Sequence, residues 1–224
     1  LQIGKTPIVV NDSRGFYTSR VFATYVMEGL AMLGEGVHPR SIEVAGIKAG
    51  MPMPPLALQD EVSLGLSLHV SDQTRRDVEA EGKAYTVHPG EAVMRTVGVE
   101  HGRLGKKAGK GFYDYQGKEK SLWPELTTLY PPQAVQPTQQ DLVDRLMFIQ
   151  ANEAARCFEE RVVRSVADTN IGSIFGWGFA PHQGGALQFI NAMGAQRFVE
   201  RSSELAQRHG ARFEPAAVVV KMAQ

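Results

Sequence analysis

The sequence lacks several features that would point to a particular class of protein. Its 224 residues include one cysteine, Cys157, so an internal disulfide is impossible and a reducing compartment fits. Basic and acidic residues number 24 each, which argues against nucleic acid or an anionic membrane as the main partner. No apolar run approaches the roughly 18–20 residues that a membrane span needs. We therefore expect a cytoplasmic protein with no membrane span and no nucleic-acid partner.

Two common kinds of chemical site are also missing from the sequence. No Gly-x-Gly-x-x-Gly motif follows a strand pattern, so a Rossmann dinucleotide site is not encoded. The six histidines show no metal-ligand spacing, and no metal site is expected. The first residues contain neither a signal peptide nor a starting Met, and we interpret the sequence as a fragment of a longer protein.

Helical patterns dominate what is present. An apolar stripe from Phe22 to Leu33 predicts a helix that follows turn residues, and Thr138 with Asp141 resembles a capping box at the start of another. A short strand is predicted over residues 6–10. Further helices are predicted over residues 39–48, 56–81 (broken near Gly65), 91–99, 141–164, 168–175, 184–192, 195–209 and 215–222. The predicted fold is mainly α.

One helical unit is used twice. The segment Arg20–Glu28 maps onto Arg145–Glu153, and the stretches that follow run in parallel. Residues 130–137 have the composition of a linker. We predict a first helical domain over residues 1–129, with a short strand and a Gly/Lys loop, and a second, degenerate copy over residues 138–224.

Three side chains on the two repeated helices raise the question of catalysis. Glu28 and Glu153 lie at helical spacing from apolar residues, and a buried carboxylate needs partners. We expect each to accept N–H groups from a helix N-terminus inside its own copy, rather than to act as a catalytic base. Cys157 shares a helix face with Glu153 and is expected to be a packed thiol, not a nucleophile.

The Gly/Lys loop of residues 105–111 has two interpretations. Its backbone N–H groups and the charges of Lys106, Lys107 and Lys110 suit a phosphate. The loop lacks the P-loop spacing, and no helix obviously follows it, so a structural turn is the favoured alternative.

Several motifs, taken together, resemble one family. They are Gly15-Phe16-x-x-x-Arg20, Met27-Glu28-Gly29, Gly50-Met51-Pro52-Met53-x-Pro55, Gly109-Lys110-Gly111-Phe112-Tyr113, Asn152-Glu153-Ala154 and Gly176-x-Gly178-Phe179-x-Pro181. Over its whole length the chain is similar to the C-terminal helical region of 3-hydroxyacyl-CoA dehydrogenase in multifunctional fatty-acid β-oxidation proteins of the alpha-subunit type. The resemblance implies two tandem copies of the helical C-terminal domain of that dehydrogenase, a fold like the C-terminal domain of 6-phosphogluconate dehydrogenase.

The resemblance also implies a function. In this family a Rossmann domain binds NAD and precedes the helical domains, and hydride transfer to NAD oxidises the 3-hydroxyl of an acyl-CoA with a His–Glu pair as the base. Neither the Rossmann domain nor the histidine motif is in this sequence. No cofactor is therefore expected in this chain, which should be inactive alone. The expected partners are the acyl-CoA substrate, the upstream Rossmann domain and a thiolase.

Four positions match residues that touch substrate in the resembled enzymes. Ser19 stands where the family has an asparagine that holds the reacting oxygen, and its hydroxyl is shorter and lacks the two-headed amide. Ala23, Pro52 and Leu58 match positions that line the acyl-thioester path. In the second copy Asp144 matches Ser19, so that copy is expected to be non-catalytic.

The duplication also implies that the two copies pair with each other. Single-function relatives pair their helical domains, so two copies on one chain would form an internal pseudo-dimer, with a homodimer as a further form. Two other functions stay open. One is a non-catalytic interaction or dimerisation module within a β-oxidation complex, and the other is the helical domain of another β-hydroxyacid dehydrogenase that acts on small acids without CoA.

Overall fold

The architecture comes from a computed structural model that describes residues 4–224. Residues 1–3, with which the first predicted domain begins, lie outside the described residues. Most of the described chain is helical, which confirms the prediction of a mainly α fold. Two tandem copies stay a prediction.

Helices follow one another along nearly the whole described chain. Their bounds are α1 Thr18–Gly34, α2 Pro39–Lys48, α3 Pro55–Val62, α4 Leu64–Ala80, α5 Gly90–Arg95, α6 Leu126–Leu129, α7 Gln139–Glu159, α8 Val166–Trp177, α9 Ala186–Met193, α10 Ala195–His209 and α11 Ala217–Met222. A π-helical stretch, Thr96–Glu100, extends α5, and short 3-10 turns cover Lys106–Ala108, Pro181–Gln183 and Ala211–Phe213. Strands β1 Tyr113–Gln116 and β2 Glu119–Leu122 form an antiparallel hairpin in which Tyr113 is opposite Leu122.

The predicted helices 39–48 and 195–209 are confirmed at both ends, whereas two other predictions need correction. The predicted break near Gly65 in the 56–81 segment is also present: it falls at Ser63, whose φ is 80°, and Gly65 lies inside α4. Helix α7 ends at Glu159 and not near 164, because the chain reverses at Arg161. The predicted strand at residues 6–10 is wrong: only Val10 is paired, in an isolated bridge to Val163.

The first of two compact units consists of Leu1–Tyr25, Ala49–Pro52 and Val143–Gln224. Its core contains an aromatic cluster in which the rings of Phe148 and Phe198 stack at 4.5 Å between centroids. The predicted division into copies at residues 1–129 and 138–224 concerns similarity of sequence and stays a prediction.

The second compact unit consists of Val26–Lys48 and Met53–Leu142. Buried Arg103 joins the β-hairpin to the loop before it, since its Nε donates to the Gly111 carbonyl at 2.6 Å and its Nη2 contacts Asp114 at 2.5 Å. The same guanidinium lies 4.2 Å from the ring centroid of Trp123. One side chain therefore holds three parts of this unit together.

The predicted linker 130–137 has no helix or strand but is tied down within the second unit. The backbone N–H of Gln133 donates to the Gly36 carbonyl at 2.9 Å, and Gln136 accepts from the His38 N–H at 2.9 Å. These bonds fix the segment to the residues that follow α1. The predicted capping box is confirmed, because Thr138 Oγ1 accepts from the Asp141 N–H at 3.1 Å at the start of α7.

Candidate functional site

The start of α1 is fixed against α8 within the first unit. The buried hydroxyl of Tyr17 donates to the Thr169 carbonyl at 2.8 Å, and its ring meets that of Trp177 edge-on at 5.2 Å. Gly172 and Gly176 permit this close approach: a Cβ on Gly172 would lie 3.1 Å from the Tyr17 ring, and one on Gly176 would lie 2.6 Å from the Thr18 side chain. The residues at the start of the helix that carries Ser19 are therefore packed tightly against α8.

Arg20 ties the next residue of α1 to α7. Its Nε lies 2.5 Å from Glu153, and its two terminal nitrogens reach Glu160 at 2.6 and 2.9 Å. The hydrogen bonds to Glu160 raise the pKa of Arg20 above its ordinary value, and the same contact lowers the pKa of Glu160. Arg156 also pairs with Glu153 at 3.0 Å.

The predicted partner of Glu153 was wrong. Its carboxylate accepts from Arg20, a residue of the first predicted copy, and from Arg156, not from a helix N-terminus of its own copy. The sequence did contain a signal for this ion pair: arginine and glutamate recur at the same spacing, so both residue types occur on α1 and on α7. Glu28 is fully buried in the second unit, where its carboxylate lies 3.9 Å from His88 Nε2. Neither carboxylate lies in open solvent, since the Glu153 side chain is only 15% exposed.

The substrate residues predicted from the sequence fall in both units. Ser19 and Ala23 are exposed and lie one turn apart on α1, so they share a face of that helix in the first unit. Pro52, also exposed, packs there on Gly178, where a Cβ would lie 2.5 Å from its ring. Leu58 is half-buried on α3 in the second unit. The assignment of these four residues to a substrate path stays a prediction.

Asp144, the counterpart of Ser19 in the second predicted copy, is engaged elsewhere. Its carboxylate accepts from Arg201 Nε at 2.8 Å, with both side chains mostly buried. The Asp144 carboxylate therefore forms a structural ion pair.

A pair of buried carboxylates organises the second unit, and sequence reasoning did not single it out. Glu43 accepts from the Leu56 and Ala57 N–H groups at the start of α3 and from the Tyr113 hydroxyl at 2.5 Å. Burial raises the pKa of Glu43 to about 7 even though these hydrogen bonds oppose the shift. The sequence signal for this buried carboxylate was the position of Glu43, an acidic residue on an otherwise apolar face of α2.

Asp60 is the second of these carboxylates. It accepts from the Phe112 and Tyr113 N–H groups at 2.8 and 2.9 Å and from the Tyr115 hydroxyl at 2.9 Å. Burial raises its pKa to about 6. Gly111 lies so close that a Cβ there would be 1.9 Å from Asp60 Oδ1. Asp60 therefore clamps the end of the Gly/Lys loop to α3.

This geometry favours the structural interpretation of the Gly/Lys loop. Within residues 105–111 the N–H groups of Gly105, Ala108, Gly109, Lys110 and Gly111 all donate to carbonyls of the chain nearby. They are not available to cradle a phosphate. Lys106 pairs with Glu61, and the residues directly after the loop, Phe112 and Tyr113, donate to Asp60.

The remaining candidates carry no visible chemistry in residues 4–224. Cys157 is fully buried, as expected for a packed thiol, and burial raises its pKa to about 12. No group of three histidine, cysteine or acidic side chains in that part of the chain is placed to hold a metal ion. No helix there is long and apolar enough to cross a membrane.

NAD does not fit the residues described. A dinucleotide site of the Rossmann type needs a parallel sheet with a glycine-rich turn into a helix. In residues 4–224 the only named sheet is the two-stranded antiparallel hairpin of β1 and β2. We assign no step of chemistry on this chain to a bound dinucleotide.

Comparison with solved structures shows which known fold the chain has. The chain matches 3-hydroxybutyryl-CoA dehydrogenase from Escherichia coli K12 with a TM-score of 0.74 and 20% identity, over 98% of this chain and 62% of that one. It matches the dehydrogenase part of multifunctional enzyme 1 from C. elegans with a TM-score of 0.68 and 20% identity, over 98% and 50%. This chain is thus a mainly helical protein with the fold of the corresponding part of these dehydrogenases, and it spans less than two thirds of either.

A family model matches part of the sequence. Residues 15–115 match the family described as 3-hydroxyacyl-CoA dehydrogenase, C-terminal domain. The predicted resemblance to the C-terminal helical region of 3-hydroxyacyl-CoA dehydrogenase is confirmed. The segment begins at the turn before α1 and ends in β1, so it contains Ser19, Ala23, Pro52 and Leu58.

Proposed function

We propose that this chain is the substrate-side helical part of an NAD-dependent 3-hydroxyacyl-CoA dehydrogenase of fatty-acid β-oxidation. The observation that carries the proposal is the family match over residues 15–115. Within that segment, α1 presents Ser19 and Ala23 on one exposed face, directly after residues that are anchored to α8. A rigidly held helix start is a suitable platform for a substrate-contacting hydroxyl.

In this proposal Ser19 holds the reacting oxygen of the substrate. Its hydroxyl donates or accepts one hydrogen bond, in place of the amide that the family places there. Ala23, Pro52 and Leu58 shape the path of the acyl thioester and exclude water, since none has a group that could take part in proton transfer. The active site is completed by an upstream Rossmann domain that binds NAD and provides the catalytic base.

The same proposal covers the assembly. The two helical copies pair within one chain as an internal pseudo-dimer, with a cytoplasmic thiolase as partner. The Arg20–Glu153 ion pair supports this, because it joins residues of the two predicted copies. An isologous pairing brings equivalent elements of the two copies together in this way.

The test is an assay of the whole protein that contains these residues. We expect it to reduce NAD with a 3-hydroxyacyl-CoA and to fail with the corresponding 3-hydroxy acid lacking CoA. Equal activity on the free acid would instead support a dehydrogenase of small β-hydroxyacids. No reduction of NAD with either substrate would refute the dehydrogenase proposal.

The second candidate function is a non-catalytic interaction module. Exposed aromatic side chains in the first unit favour it, since Phe16 is 54% and Phe175 is 75% exposed. Unchanged activity of the whole protein after substitution of Ser19, together with loss of assembly after substitution of Phe175, would support this candidate over the first.

A further inference from the structure

A cleft in the first unit lies beside the residues that precede α1 and contains an excess of positive charge. Its volume is about 700 Å³, within the range that small ligands occupy. The lining consists of Asn11, Phe158, Glu159, Arg161, Val163, Arg164, Val218 and Lys221. Three cations therefore face one carboxylate, and three apolar side chains lie among them.

The cations of the cleft are not neutralised by the protein. In residues 4–224 none of Arg161, Arg164 and Lys221 forms an ion pair with a carboxylate, in contrast to Arg20, which pairs with two. All three cations are exposed. An anion in the cleft would meet positive charge that the fold leaves uncompensated.

Asn11 holds two parts of this cationic surface in place. Its side-chain oxygen accepts from Arg164 Nη2 at 2.7 Å and from Arg164 Nε at 3.2 Å. Its side-chain nitrogen donates to the Arg161 carbonyl at 2.7 Å. The acceptor for Arg164 is a neutral amide. It therefore orients the guanidinium without offsetting its positive charge. This is the arrangement expected of a preorganised anion contact.

Arg161 is held in an unfavourable backbone conformation. Its φ is 60°, in the left-handed region where glycine is the residue without steric cost. The position follows the end of α7, where glycine is the usual residue. An arginine at such a position points to a use for its side chain.

Helix-end electrostatics alone do not account for the arrangement. Cations near the C-termini of α7 and α11 also offset the helix dipoles, and Lys221 lies in the last turn of α11. That effect needs neither an arginine in the left-handed region at position 161 nor the hydrogen bonds that Arg164 donates to the Asn11 amide.

We propose that this cleft binds a nucleotide-sized organic phosphate. The phosphate groups would meet Arg161, Arg164 and Lys221, and the ring system would lie against Phe158, Val163 and Val218. The nucleotide end of a coenzyme A ester has this chemistry. The inference rests on the cleft itself and is tested separately from the proposed function.

The experiment is isothermal titration of the protein with adenosine 3′,5′-bisphosphate. We expect the double variant Arg161→Glu/Arg164→Glu to lower the affinity by at least about tenfold, and added salt to weaken binding by the unchanged protein. The matched control is Arg197→Glu, an exposed arginine of α10 in the same unit that does not line the cleft, which should leave the affinity unchanged.

A variant of opposite sign keeps the test independent of any folding defect. Removal of the one carboxylate in Glu159→Gln should tighten binding by about threefold, since it takes away a repulsion. Equal affinity in the unchanged protein and the double variant would overturn the inference. So would inorganic phosphate that binds as tightly as the bisphosphate, because the apolar part of the cleft would then play no role.

Discussion

Arg20 and Glu153 form an ion pair across 133 residues of sequence, with 2.5 Å between Nε and the carboxylate oxygen. The side chains are 21% and 15% exposed, so water screens the pair only partly. This contact joins α1 to α7 inside the first unit, one residue after Ser19.

Loss of Arg20 should destabilise the protein. In Arg20→Ala, Glu153 keeps only Arg156 as a partner and Glu160 loses two hydrogen bonds, so we expect the free energy of unfolding to fall by about 2 kcal/mol. Urea denaturation measures the change. The control is Lys83→Ala, which breaks an exposed pair with Glu81 and should cost less than about 1 kcal/mol. Equal losses for both variants would contradict a special role for Arg20.

Two glycine substitutions test the contact between the Gly/Lys loop and Asp60. In Gly111→Ala the new Cβ would lie 1.9 Å from Asp60 Oδ1, so the clamp must move, and we expect a loss of about 3 kcal/mol. In Gly65→Ala, inside α4, the nearest side-chain atom is 3.6 Å away, and the higher helix propensity of alanine should leave stability equal or slightly higher. Thermal unfolding would show whether the two variants differ in this direction.

Glu43 should make stability depend on pH. Its pKa is about 7 in the folded protein and near 4.5 when unfolded, so its contribution is fully present below about pH 4 and is lost as pH rises through about 7. Relative to Glu43→Gln, which cannot ionise, the unchanged protein should lose about 3 kcal/mol between about pH 4 and pH 8. Denaturation curves over this range measure the difference. A constant difference between the two proteins would show that Glu43 does not titrate there.

Ser19 should affect catalysis and not stability. If Ser19 holds the reacting oxygen as proposed, Ser19→Ala in the whole protein removes that hydrogen bond, and we expect kcat to fall by about tenfold or more with the thermal midpoint unchanged. Ser19→Asn, which restores the residue of the family, should keep or raise the activity. Ser203→Ala on α10 is the control. If Ser19→Ala leaves kcat unchanged, the residue does not contact the reacting group.

Cys157 should be unreactive in the folded chain. It is fully buried, and burial raises its pKa to about 12, so almost no thiolate is present at neutral pH. Alkylation by iodoacetamide should be at least about a hundredfold slower in buffer than in urea. Rapid labelling of the folded protein would mean that the end of α7 opens readily.

The ends of a helix could be predicted where residues at or next to those ends mark them. Helix α10 lies at its predicted bounds, with Gly194 and Gly210 on either side of it, and the capping of α7 was predicted from Thr138 and Asp141. Proline at the first position marked α2 in the same way.

The features that could not be predicted from the sequence depend on contacts between residues far apart in the chain. A strand at residues 6–10 needed a partner strand, and only Val163 pairs there. The partner of Glu153 lay on a distant helix, and the role of Asp60 depends on backbone N–H groups 52 and 53 residues later in the chain. Spacing within one helix carries no information about such partners, so the clamp and the basic cleft could be found only in three dimensions.

The division of the first unit into separate stretches of sequence has a consequence for synthesis. Asn11 bonds to Arg161 and Tyr17 to Thr169, across 150 and 152 residues. In a nascent chain neither hydrogen bond can form until Arg161 and Thr169 have left the ribosome. During that interval Tyr17 and Val21, both fully buried in the folded protein, remain open to chaperones and to aggregation.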